Sequence, residues 1–145
     1  MPVEIVTTQN WKQNVHNSKI PAIVNFSAVN CGFCMMLEPL YNRLSDHYGG
    51  KLSFLKLMVD EPQNQEILHR TSVEGTPTLK FYCRGREVGE HVGYAIEPVL
   101  KKKMTICWKK WMHVSRTAHP CNKRNKPLSI SLSMLVGFGQ LIFVF

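Results

Sequence analysis

Between Lys19 and Val29 the apolar positions Ile20, Ala22, Ile23, Val24 and Phe26 follow one another almost without a break. Such a run predicts a central strand buried on both faces, and Lys51–Val59 predicts a second of the same kind. Between them Phe33, Met36, Leu37, Leu40, Tyr41, Leu44 and Tyr48 recur at helical spacing. Pro39 is expected to kink that helix and Gly49-Gly50 to end it. Upstream, Val3–Val6 is a short apolar piece, and Thr7 or Thr8 is placed to cap a helix over about Gln9–Asn17. Asp60-Glu61-Pro62 starts a short helix to about His69. Thr78–Cys83, the turn signal Arg84-Gly85 and Arg86–Val92 read as a hairpin. From about Ile96 a helix with the stripe Ile96, Val99, Leu100, Met104, Trp108, Trp111 and Met112 closes the pattern. The order β-α-β-α-β-α-β-β-α requires parallel pairing where helices intervene and an antiparallel edge at the hairpin. The expected fold is α/β, with a mixed central sheet and helices on both faces.

The pattern changes beyond this body, which is expected to span residues 1–112. Residues 113–127 are polar and basic with two prolines, and read as a linker. Residues 128–145 carry no charge over 18 positions, which just meets the length of a membrane span. Three serines and Gln140 weaken that reading. A docked terminal strand, or an extension outside any folded unit, stays open beside a membrane anchor. If the segment spans, the cations on its N-terminal side place the body in the cytoplasm.

Charge sharpens this division. The chain of 145 residues has a formal net charge of +8. Residues 1–104 hold 12 Lys/Arg against all 10 acids, whereas residues 105–145 hold 6 Lys/Arg and no acid. The basicity belongs to the tail, so no nucleic-acid partner is expected for the body. Met1–Asn10 has no basic or continuous apolar region of a secretory leader, so a reducing, cytoplasmic setting is expected. The five cysteines are then not a disulfide framework.

Two of them, Cys31 and Cys34, form a C-x-x-C directly after a strand and at the start of a helix. Free N–H groups and the helix dipole at such a start stabilise a thiolate, bringing a thiol from about 8.5 to about 4–7. Cys31 is thus the expected nucleophile, and Cys34, one turn in, the residue that resolves a mixed disulfide. A zinc site would need four ligands, and Cys107, His113, His119 and Cys121 lack a regular ligand spacing. Cys83 reads as a structural or surface thiol and Cys107 and Cys121 as incidental ones, while His47, His69 and His91 read as surface residues.

The chain resembles the thioredoxin family over about residues 3–104. The matching residues are Val24-Asn25-Phe26-Ser27-Ala28, Cys31-Gly32-Phe33-Cys34, Pro39, Lys56 in a strand ending at Asp60, Gly75-Thr76-Pro77-Thr78, Arg84-Gly85 and Gly93. The resemblance implies a thioredoxin-like fold and protein thiol–disulfide oxidoreduction, with a reductase the favoured form. It implies that Pro77 is a cis proline facing Cys31, and that the Thr76 main chain, with Gly93, positions the substrate. It implies protein disulfide substrates, a thioredoxin-reductase-like electron donor, and no cofactor or metal beyond the dithiol itself. A disulfide isomerase or oxidase of the same fold, or a peptide-binding holdase without turnover, are the alternatives.

Three departures bear on the chemistry. Asn30 stands where the family usually has Trp before the first cysteine. Asn25 stands where a buried Asp is common, and an amide cannot accept the proton of the resolving cysteine. Lys56, the usual partner of that Asp, is expected to have a lowered pKa or to snorkel outward. Resolution of mixed disulfides is therefore expected to be slower than in a typical thioredoxin. The intervening Gly32-Phe33 supplies neither a cation nor a proline, which leaves the poise between about −270 and about −180 mV.

Overall fold

The computed structural model describes residues 2–116. Along them the chain forms β1 (Glu4–Ile5), a π-helical turn (Lys12–His16), β2 (Ala22–Ser27), α1 (Gly32–His47) and β3 (Ser53–Met58). A 3-10 turn (Pro62–Asn64), α2 (Gln65–Thr71), β4 (Thr78–Cys83), β5 (Arg86–Val92) and α3 (Glu97–Arg116) follow. One sheet orders its strands β1-β3-β2-β4-β5. The β1–β3 and β2–β3 pairs are parallel, while β2–β4 and β4–β5 are antiparallel, as the alternation of helices and hairpin requires.

All six β2 residues are buried because both faces of that strand are covered. On one face Val24 and Phe26 pack with Trp11, Val15, Leu55, Leu57 and Ile67, which belong to the π-helical turn, β3 and α2. On the other, Ile23 packs with Leu37, Leu40, Tyr41 and Leu44 of α1 and with Leu100 and Met104 of α3. Asn25 shares the Ile23 face by the two-residue period of a strand, and so lies under α1. The Tyr41 hydroxyl, 2.9 Å from the carbonyl oxygens of both Ile23 and Leu55, ties α1 to the sheet, and its burial pushes the phenol well above the usual range.

Arg84 and Gly85 both have positive φ, 49° and 76°, the backbone of the two-residue turn that suits a twisted hairpin. A Cβ on Gly85 would also stand 2.9 Å from the His16 Cα, so glycine is required there twice over. The edge strand β5 is covered on its rim by α3. Lys103 Nζ donates to the Glu90 carbonyl at 2.9 Å and Lys110 Nζ to the Val88 carbonyl at 3.3 Å. Lys80, fully inside β4, meets Glu87 at 3.1 Å and also Glu90. Burial lowers its pKa, but the hydrogen bonds and charges of Glu90 and Glu87 outweigh that and leave the ammonium above its ordinary range.

The first and last helices depart from the sequence expectations. The first helix is a five-residue π-helical turn with no side-chain cap; Thr7 N–H donates instead to Asn10 Oδ1 at 2.7 Å. The buried stripe of α3 is Leu100, Met104 and Cys107, while Ile96 and Val99 are exposed. Finally, α3 runs to Arg116, past residue 112 and into the stretch read as linker. The rest of that stretch, Cys121 and the apolar residues 128–145 lie outside the described residues. Among the described residues no helix is long and apolar enough to cross a membrane.

Candidate active site

The strand-to-helix junction after β2 is set by few contacts. Val29 N–H donates to Asp60 Oδ2 at 2.6 Å, which pins the loop that precedes the C-x-x-C to the end of β3. Cys31 is extended (φ −124°, ψ 105°) and caps α1, its sulfur accepting the Cys34 N–H at 3.2 Å. A cysteine in the N-cap position faces the unpaired N–H groups of the first turn, where negative charge on sulfur is stabilised. Cys31 is half-buried and Cys34 is 3% exposed. Their sulfurs are joined as a disulfide with the Cα atoms 5.2 Å apart.

Opposite Cys31 lies the loop that leads into β4. The Thr76–Pro77 peptide is cis, and the Thr76 carbonyl oxygen is 3.5 Å from Cys31 Sγ. Gly93, at φ +85°, donates its N–H to the Pro77 carbonyl at 2.7 Å, and nothing lies within 4 Å of where its side chain would start. Thr76, Pro77 and Gly93 are thereby brought together beside Cys31. Gly32 and Phe33 stand in the first turn of α1, with Phe33 exposed, and Asn30 is exposed where an aromatic was expected in a family member. Val29, Phe33, Met36, Val92 and Tyr94, close to these residues in sequence, are exposed apolar side chains. Phe33 and Met36, which helical spacing grouped with the apolar positions of α1, are both exposed.

Asn25 and Lys56 are register partners on adjacent strands. Lys56 is not left without a carboxylate: its Nζ is 2.7 Å from Glu38 Oε1, on the turn of α1 that follows Cys34. Glu38 was missed in the sequence, where it reads only as a polar position on the outer face of a helix. Among the described residues Asn25 Oδ1 is buried and without a hydrogen-bond partner.

The remaining candidates fall away from this cluster. Cys83 and Cys107 are buried, and burial together with neighbouring Cys83 pushes the Cys107 thiol up to about 11. A thiol held neutral in that way is inert. His91 is not a plain surface residue: burial and the nearby Lys103 lower its pKa, against a hydrogen bond with the Tyr94 backbone. His47 stacks edge-on with Tyr48 at 4.9 Å. Among the described residues no group of three or more His, Cys, Asp or Glu could hold a metal ion.

Comparison with known proteins agrees with this geometry. Residues 2–105 match the family model described as Thioredoxin. The chain is 29% identical over 102 residues to the chloroplastic thioredoxin M-type of Pisum sativum, covering 70% of this chain and 58% of that protein. It is 30% identical over 99 residues to thioredoxin 1 of a Nostoc species, covering 68% and 91%. It thus spans little more than half of the plant protein and most of the bacterial one. A crystal structure of Malassezia sympodialis thioredoxin superposes with a TM-score of 0.66 at 26% identity, covering 73% of this chain and 90% of that one. With the family model covering well over half of its length, and a C-x-x-C pair at the start of α1, the chain belongs to the thioredoxin family.

Proposed function

We propose that the protein is a protein thiol–disulfide oxidoreductase of the reductase type. The observation that carries this reading is the bonded Cys31–Cys34 pair at the N-terminus of α1, with the Thr76 carbonyl 3.5 Å from the Cys31 sulfur. In the dithiol form the Cys31 thiolate attacks one sulfur of a substrate disulfide and expels the other as a thiolate. Cys34 then attacks Cys31 Sγ, the mixed disulfide breaks, and the substrate leaves with both sulfurs reduced. Two electrons pass to the substrate and the protein is left as the disulfide. No other redox group is needed for this cycle, and a thioredoxin-reductase-like donor restores the dithiol.

Thr76 and Gly93 hold an extended substrate segment by main-chain pairing, and Pro77 shapes the loop between them. Exposed apolar residues near the site in sequence, Phe33 and Tyr94 among them, receive its side chains. The folded unit runs through α3, and it works in a reducing compartment, the cytoplasm. Support for that setting comes from Cys83 and Cys107, which are thiols in the interior. The test is reduction of insulin disulfides by the full chain with dithiothreitol, beside Cys31→Ser. Turnover by the wild type and none by the variant is expected. Equal activity in both would replace this reading with that of a peptide-binding module.

A further inference from the structure

We propose that Glu38 accepts the proton of Cys34 when the mixed disulfide is resolved, in place of the carboxylate that β2 lacks at Asn25; the proposal rests on the dithiol reading above. Three observations converge on it. Glu38 follows Cys34 by four residues on α1, so the two share a face one turn apart, about 6 Å along the axis. Its Oε1 is 2.7 Å from Lys56 Nζ, and the lysine side chain is only 18% exposed. The pair opens on a cleft of about 350 Å³, ample for ordered water, whose lining includes Asn25.

The other groups facing this cleft do not suit the task. Tyr41 keeps its proton at neutral pH, because burial pushes its phenol up and its hydroxyl is spent on the backbone. Asp46 lies twelve residues beyond Cys34 on the same helix, about 18 Å along the axis. Lys56 is a cation and donates only. Asn25 offers an acceptor but no base.

The step balances as follows. Cys34 S–H gives its proton, by way of intervening water, to the Glu38 carboxylate one turn along α1. The freed sulfur attacks Cys31 Sγ, the bond from Cys31 to the substrate sulfur breaks, and the substrate leaves as a thiolate that is protonated by solvent. Glu38 returns its proton to solvent. Lys56 acts by position, holding the carboxylate toward the cleft when half of its side chain is otherwise in water.

The experiment is single-turnover reduction of a fluorophore-labelled peptide disulfide by the reduced full chain, followed from pH 5 to pH 9. Attack by Cys31 gives the first phase and release by Cys34 the second. Glu38→Gln is expected to leave the first phase unchanged and to slow the second about tenfold to a hundredfold near pH 6–7. The two proteins should converge toward pH 9, where the thiol ionises unaided. Glu38→Asp should retain most of the rate, and Asn25→Asp should restore it in the Glu38→Gln background. A second phase that is unchanged in Glu38→Gln, or slowed by one factor at every pH without restoration, would overturn the proposal. A wild type with no first phase would instead defeat the dithiol reading.

Discussion

Asn25 is 2% exposed, beneath α1 and in register with Lys56, so Asn25→Asp inserts a carboxyl into a nearly dry site one strand from an ammonium group. Burial alone raises a carboxyl by about 3–5 pH units, and an opposite charge within reach lowers it by about 1–3. The surplus of about 2 units is equivalent to about 3 kcal/mol at about 1.36 kcal/mol each. Lys56 must also turn from Glu38, which is half in water, and that exchange adds at most about 1 kcal/mol. The sign follows from proton binding. The variant carboxyl titrates near 6 when folded and near 3.9 when unfolded, so the folded state holds the extra proton between these values. Relative to wild type, the variant is expected to match in stability below about pH 4. It should lose stability between about pH 4 and 6 and sit about 3 kcal/mol lower from about pH 6 upward. Urea unfolding at pH 4, 5, 6 and 7 measures this directly. A gap that is constant over that range, or absent, would refute the placement of Asn25 in an apolar setting under α1. In stopped-flow single turnover the same variant should resolve mixed disulfides faster, and equal rates would remove the argument that β2 lacks a base.

Two further outcomes are expected. His91 has a folded pKa below its unfolded value, through burial and Lys103. Its contribution to stability is therefore complete above about pH 6.5 and lost as pH falls through the lower, folded value; His91→Gln should flatten that acid limb in urea unfolding. A chain ended at residue 112 keeps Leu100, Met104 and Cys107, the buried face of α3. It should fold and reduce insulin like the full chain, whereas aggregation in size-exclusion chromatography would show that the later residues are structural.

The strands were legible because burial on two faces leaves a continuous apolar run, as in Ala22–Phe26, and because Arg84-Gly85 permits only a tight turn. The bonded pair stood out because Cys31 and Cys34 combine a spacing with a strand-to-helix position. Glu38 was not, since nothing local distinguishes it from any solvated glutamate; its meaning comes from the β2–β3 register, which carries Lys56 under the helix. The opening π-helical turn was hidden for a similar reason. Trp11 and Val15 recur at helical spacing, yet the turn closes with Asn17 N–H reaching Lys12 O at 2.9 Å, a five-residue step that periodicity does not encode. Cys107 looked marginal on the stripe because its neighbours Ile106 and Trp108 obscure which side of α3 meets Phe81. The polar alternation of β5 made His91 look exposed, yet its Nε2 is buried.

The two lysines laid from α3 along β5 have a consequence for how the protein meets other chains. Outermost strands offer a row of vacant carbonyls and amides that invites a foreign strand to extend the sheet. Here the Val88 and Glu90 oxygens are already occupied by ammonium groups, and an intruder would have to evict both. The opposite border, β1, is two residues long and too short to nucleate a ribbon. With β5 occupied and β1 short, neither border of the sheet is an easy template for a foreign strand.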